Sequence, residues 1–264
     1  MTALFADIKG SMELIEDLDP EEARAIVDPA LTLMMEAVHR YHGYVAQSTG
    51  DGIFALFGAP VAHEDHPQRA LYAALRLQDE LKRYAERLRA EKGLTLLARV
   101  GVNTGEVVVR TIKTDETHTE YTPIGHSTSL AARLQALAAP GSIAISDTVR
   151  KFVDGYFTLK SLGPARIKGV SEPVNIYEVT GLGPLRTRLQ RAVGRGLTKF
   201  VGRQREVEAG VGKSRLFYEF KAVAQSGCMV LETFSVSHGK ASAYLPVIDF
   251  LHAYFRNGLS TLLS

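Results

Sequence analysis

Gly50-Asp51-Gly52, set between the short apolar runs Tyr44–Ser48 and Ile53–Phe57, constrains the fold of this chain more than any other feature. Glycine accepts positive φ at little steric cost, so this tip predicts an antiparallel hairpin that carries a carboxylate at its turn. Antiparallel pairing so early in the chain argues against a doubly wound parallel sheet and for an α+β or α/β arrangement. A further apolar run, Thr2–Ala6, ends at Asp7 and reads as a strand delivering another carboxylate at its end. If the two strands are neighbours, Asp7 and Asp51 converge. Paired carboxylates suit a hard divalent cation, which takes oxygen ligands and shares substrate phosphates. A hairpin-tip aspartate equally serves turn geometry. Spacing alone leaves both readings open.

Helical signals alternate with these strands. Asp19-Pro20-Glu21-Glu22 combines an N-cap residue, proline at the first helical position and acids in the first turn. The apolar residues Ala23, Ile26, Val27, Leu31, Met34, Met35 and Val38 follow at roughly helical spacing, and Pro29 is expected to kink or interrupt that helix. A longer helix is expected over 67–92, stopped by Gly93. Leu94–Val102 and Glu106–Arg110 read as a second hairpin around Asn103-Thr104-Gly105. A helix over Ser127–Ala138 precedes a strand at Ser142–Ser146, and short strands are expected at Phe157–Leu159, Ala165–Lys168 and Val174–Val179. His63-Glu64-Asp65-His66 has the look of a metal cluster. It directly precedes the long helix, where acids favour the dipole, and reads as a helix start.

Composition narrows the setting. A net charge of +2 over 264 residues points to no nucleic-acid partner, and the arginine run 186–195 reads as a solvated tether. One cysteine, Cys228, cannot form an internal disulfide, and no apolar stretch approaches the roughly 18 residues of a membrane span. A cytoplasmic chain without a membrane partner is expected.

The local wording then sharpens the function. Leu4-Phe5-Ala6-Asp7-Ile8-Lys9-Gly10-Ser11, the segment Ser48–Gly58, Val100–Val107, and Tyr121–His126 followed by Leu130-Ala131-Ala132-Arg133-Leu134 resemble, in order, the motifs of class III adenylate and guanylate cyclases. The resemblance runs over about residues 2–180. It implies an α+β, ferredoxin-like βαββαβ core paired head to tail as a homodimer, with active sites at the interface. By that likeness Asp7 and Asp51 hold two Mg²⁺ or Mn²⁺ ions, with the Ile8 carbonyl as a further ligand. Backbone amides around Gly10 and Ser11 cradle phosphate oxygens. Arg133, from the opposing subunit, stabilises charge on the α-phosphate, a task for a fixed guanidinium fork. Lys168 falls where the family places a phosphate-binding lysine. Gln47 and Thr122 fall at the base-selecting positions, and Ser129 at the ribose-orienting one.

The departures matter as much. Gln47 replaces the adenine-selecting lysine, and an amide that both donates and accepts serves either purine. Thr122 leans toward adenine, so ATP is favoured over GTP as the substrate. Ser129 replaces an asparagine and reaches less far, and Met12 replaces a hydroxyl residue in the phosphate turn. Low turnover is expected, and the alternative is a degenerate nucleotide-binding regulatory domain. Keeping Asp7, Asp51 and Arg133 together favours catalysis.

Domain boundaries are placed at 1–183 for the cyclase-like domain, 184–198 for a linker and 199–264 for a further segment. That segment resembles an AAA-type signalling ATPase: Gly210-Val211-Gly212-Lys213-Ser214-Arg215-Leu216 looks like the end of a P-loop. A complete loop needs glycine five residues before Gly212, after a buried strand. Val207 stands there instead. Gly212, Lys213 and Ser214 therefore read as a degenerate P-loop in an incomplete module.

Overall fold

The computed structural model describes residues 1–9, 19–113, 119–170 and 172–184, with Val247 and Leu251 beyond them. The chain divides into two units, Met1–Gly183 and Pro184–Ser264. The first carries the architecture described below. Gly10, Ser11 and Met12 lie outside the described residues, as do Gly212, Lys213 and Ser214.

The chain opens with β1 (Thr2–Lys9), α1 (Pro20–Arg40), β2 (Tyr44–Thr49), β3 (Gly52–Phe57), α2 (His66–Lys92) and β4 (Leu97–Thr104). These strands lie side by side in the order β2-β3-β1-β4, every pair antiparallel, which is the βαββαβ topology expected from the sequence. β7 (Ile143–Ser146) then adds parallel to β4, and β9 (Val174–Leu182) and β8 (Phe157–Ala165) extend the sheet to seven strands. Between these come β5 (Val108–Lys113), β6 (Thr119–Ile124), α3 (His126–Leu137) and α4 (Asp147–Val153).

The helices form where the sequence pattern supplies a buried stripe. In α1, Ala23, Ile26, Val27, Ala30, Leu31, Met34, Ala37 and Val38 are buried at three- and four-residue intervals. Pro29 sits inside this helix without interrupting it. The carbonyl it cannot pair with belongs to Ala25, on the exposed face, which is open to solvent. Gly93 ends α2 in the left-handed conformation, its N–H donating to Arg89 O at 3.1 Å. The Tyr84 hydroxyl donates to Ile26 O at 2.9 Å and ties α2 to α1.

Strand alternation sorts β1 into two faces. Thr2, Leu4, Ala6 and Ile8 are all buried on the α1/α2 side, and Thr2 contacts His66 at the start of α2. Ala3, Phe5 and Asp7 face the side covered by α3, where Ala3 clusters with Phe54, Leu56 and Ala131. α3 lies close because β4 has glycine at 101: a Cβ there would overlap the Gln135 amide and the Ala131 carbonyl. The start of α3 is pinned by Asn103, whose Nδ2 donates to Ser127 O at 3.0 Å while its Oδ1 accepts from Ser146 Oγ at 2.6 Å.

Three expectations need correction. Glu106–Arg110 does not form a hairpin with Leu94–Val102: β5 pairs with β6 in a separate two-stranded sheet. β4 already has β1 on one edge and β7 on the other, so no edge is left for β5. The strand expected at Phe157–Leu159 runs on to Ala165 as one edge strand, β8, whose irregular register at Thr158/Leu159 and Ser161/Gly163 absorbs Gly163 and Pro164. The strand expected at Ala165–Lys168 does not form, since 166–168 belong to the connection that follows. α4 was not foreseen. It is a short helix capped by Ser146, whose Oγ accepts from Val149 N.

Candidate active site

Asp7 and Asp51 are brought together by the sheet. Asp7 pairs with Gly52, the residue after Asp51, and the Ile8 N–H donates to the Asp51 carbonyl at 3.0 Å. Position 52 must be small. A Cβ there would stand 2.5 Å from the Ala6 carbonyl oxygen and 3.1 Å from Asp7 Cα. Gly50, with φ of 48°, turns the chain so that Asp51 follows at the tip. Ile8 buries its side chain in the core, leaving only its backbone to the site.

Asp7 is not a bare carboxylate. Arg99, its register partner on β4, donates from Nη2 to Oδ2 at 2.8 Å and from Nε to Oδ1 at 3.2 Å. The guanidinium also donates from Nη1 to Ala136 O at 3.4 Å, at the end of α3. The pair is mostly buried, at 20% exposure for Arg99 and 28% for Asp7. The sequence reading missed Arg99. Its signal was faint: an arginine leading the apolar run Val100–Val102 in a central strand needs a carboxylate partner, but the pairing that supplies Asp7 lies 92 residues away.

The basic residues gather elsewhere. Arg133 leaves α3 away from β1, and its guanidinium lies against Gly169, where an added Cβ would meet Nη1 at 3.1 Å. Lys168, exposed, is the neighbouring residue in the connection between β8 and β9. Ser129 is exposed one helical turn before Arg133, on the same face of α3. The underside of this connection is anchored by Ile167, buried with Leu134, Ala138, Ala144 and Ile176. β9 lies three strand positions from β1, roughly 14 Å across the sheet. Among the described residues neither Arg133 nor Lys168 is hydrogen-bonded or ion-paired to Asp7, whose carboxylate is taken up by Arg99.

Gln47 is exposed on β2 just after a register irregularity between Val45 and Gln47. Thr122 lies on β6 opposite Arg110.

The residues fit a divalent cation of the Mg²⁺ type. The two carboxylates and the Ile8 carbonyl would form an all-oxygen donor set, and the close approach at Gly52 brings the backbone of Asp51 beside that of Asp7. Among the described residues no group of three or more His, Cys, Asp or Glu could hold a metal. Water and substrate phosphates would have to complete the shell of a bound Mg²⁺, which commonly keeps such ligands.

The His63–His66 segment is used differently. His66 Nδ1 lies 2.7 Å from Thr2 Oγ1, and Thr2 Oγ1 is 2.6 Å from Thr104 Oγ1. Burial pushes the imidazole down to about 4, so it is neutral at pH 7. Asp65 holds the N-cap position of α2 without a side-chain cap bond, since its carboxylate accepts from Arg69 Nε at 2.7 Å. No helix among the described residues is long and apolar enough to cross a membrane.

This fold and acid-bearing hairpin place the chain. It belongs to the family of the adenylate and guanylate cyclase catalytic domain, whose pattern matches residues 1–181. Adenylate cyclase 1 of Rhizobium meliloti (strain 1021) is 31% identical over 184 residues, covering 69% of this chain and 28% of that protein. The adenylyl cyclase CyaB from P. aeruginosa superposes with a TM-score of 0.64 at 28% identity, covering 68% of this chain and 92% of that one. The guanylyl cyclase Cya2 gives 0.63 at 30% identity, with 69% and 92% covered. The chain thus spans under a third of the R. meliloti protein but nearly all of the solved catalytic domains.

Proposed function

We propose that residues 1–183 convert a nucleoside triphosphate, ATP in preference to GTP, into its 3′,5′-cyclic nucleotide and pyrophosphate. The observation that carries this reading is the convergence of Asp7 and Asp51 across the Gly52 contact. Asp7, Asp51 and the Ile8 carbonyl would hold Mg²⁺ or Mn²⁺, two ions in the full site. Such ions, when bound, acidify a ribose hydroxyl and neutralise the triphosphate.

The chain's own residues do the rest. Arg133 offers planar donors to charge developing on the α-phosphate, and Lys168 offers a point charge to the outer phosphates. Ser129, on the Arg133 face of α3, would orient the ribose. Gln47 and Thr122 select the base, and Gly10 and Ser11 supply backbone amides to phosphate oxygens. The acidic group and the basic group stand apart in one chain, which supports a head-to-tail homodimer where Asp7 and Asp51 of one copy face Arg133 of the other. Similarity to both an adenylyl and a guanylyl cyclase matches the mixed base-selecting pair. We read 199–264 as an incomplete P-loop segment behind a linker at 184–198, with no ATP hydrolysis expected from Lys213 and Ser214.

The test is product analysis: the chain is incubated with Mn²⁺ and either ATP or GTP, and the cyclic product is quantified by mass spectrometry beside an Asp51→Ala control. Product from ATP above that control supports the reading. Nucleotide binding without product from either triphosphate favours the regulatory alternative.

A further inference from the structure

The Asp7 carboxylate is committed to a guanidinium as well as open to a metal. Both carboxylate oxygens already accept from one guanidinium, at 2.8 and 3.2 Å, in a pair about three-quarters buried. Such a fork neutralises Asp7 and occupies a lone pair on each oxygen. A divalent cation bound to the same carboxylate would stand within a few ångströms of the guanidinium charge, with little water between to screen it. The third donor contact, to Ala136 O, ties Arg99 to the end of α3 and keeps it over Asp7.

We infer that Arg99 is a positioning residue that acts as a charge latch on Asp7. It holds the carboxylate oriented but weakens cation binding until a polyanion arrives. A nucleoside triphosphate brings enough negative charge to relieve the repulsion between cation and guanidinium. Metal and nucleotide therefore load together, and the metal alone loads poorly. This rests on the reading of Asp7 and Asp51 as the metal pair.

The latch is tested without turnover, by titrating the full chain with Mn²⁺ in the absence of nucleotide and following free Mn²⁺ by electron paramagnetic resonance. Arg99→Gln is expected to bind Mn²⁺ at least about tenfold more tightly than the unsubstituted chain. Arg99→Lys, which keeps the charge and loses the fork, is expected to stay within about threefold of it. Adding Asp7→Asn to Arg99→Gln is expected to remove the gain. A purely structural role for Arg99 predicts the opposite sign, since a disordered Asp7 binds metal less well. Affinity equal to or weaker than the original in Arg99→Gln, with Asp7→Asn still abolishing Mn²⁺ binding, overturns the latch and leaves the metal pair standing. Mn²⁺ binding indifferent to Asp7→Asn and Asp51→Asn overturns the metal pair itself, and the latch with it. Should Arg99→Gln fail to fold by thermal melting, Arg99→Met keeps the aliphatic stem and answers the same question.

Discussion

Asp7 and Asp51 are held by the backbone of the central sheet, whereas Arg133 and Lys168 depend on a helix and a connection laid over it. Asp7 sits on β1, opposite Gly52 on one side and Arg99 on the other, and Asp51 sits in the turn that leads directly into Gly52. Their separation is set by strand spacing, which has little freedom. Arg133 is positioned by side-chain packing: Leu134 beside it is buried against Ile167 and Ile176, and its own guanidinium rests on Gly169. Rigid placement suits cation ligands, which tolerate small errors in distance poorly. Placement by packing would suit the role proposed for Arg133, to meet a developing charge carried in from another subunit.

The largest expected effect tests whether these regions belong to one site or to two copies. Asp51→Ala and Arg133→Ala are each expected to lower cyclic nucleotide formation by about 10²-fold or more. Mixed as purified proteins, they are expected to regain up to about a quarter of the original rate, because one of the two interfacial sites in a mixed dimer is intact. A mixture as inactive as either variant would break the split-site reading.

Next come the contacts that hold each region. Gly52→Val forces a Cβ against the Ala6 carbonyl and is expected to cost about 1–3 kcal/mol in urea unfolding. It should reduce Mn²⁺ affinity as well, since Asp51 moves with the tip. Gly169→Ala carries a φ of 79° and is expected to cost about 1 kcal/mol. Its activity loss should appear in kcat and leave Mn²⁺ binding unchanged. Equal effects of the two substitutions on metal binding would erase the distinction between the regions.

The smallest effect lies at the far end of β1 from Asp7. His66 is held near 4 in the folded chain, against 6.5 when unfolded. As pH falls from 6.5 toward 4 the unfolded chain takes up the proton and the folded chain does not, so stability declines across that window. His66→Gln is expected to flatten the fall in Tm between pH 6.5 and 4 while leaving Mn²⁺ binding intact. An unchanged slope would show that His66 is not the group responsible.

What the sequence determined by itself was local. The Gly50-Asp51-Gly52 tip specified its hairpin because positive φ at Gly50 and a missing side chain at position 52 are backbone requirements readable from residue type. The stripes in α1 and α2 specified helices because burial repeats at the helical period. The order of these elements, with the motif wording, was enough for the βαββαβ core and the family. Tertiary structure alone decided the partners. β5 left β4 for β6 because the edges of β4 were taken by strands that begin far away in the chain. β8 ran unbroken through Gly163 and Pro164 because it is an edge strand, free to bulge. Arg99 came to rest on Asp7 because β1 and β4 pair in one register and no other. Pairing across 92 residues is settled by how the whole sheet packs, and no local pattern encodes it.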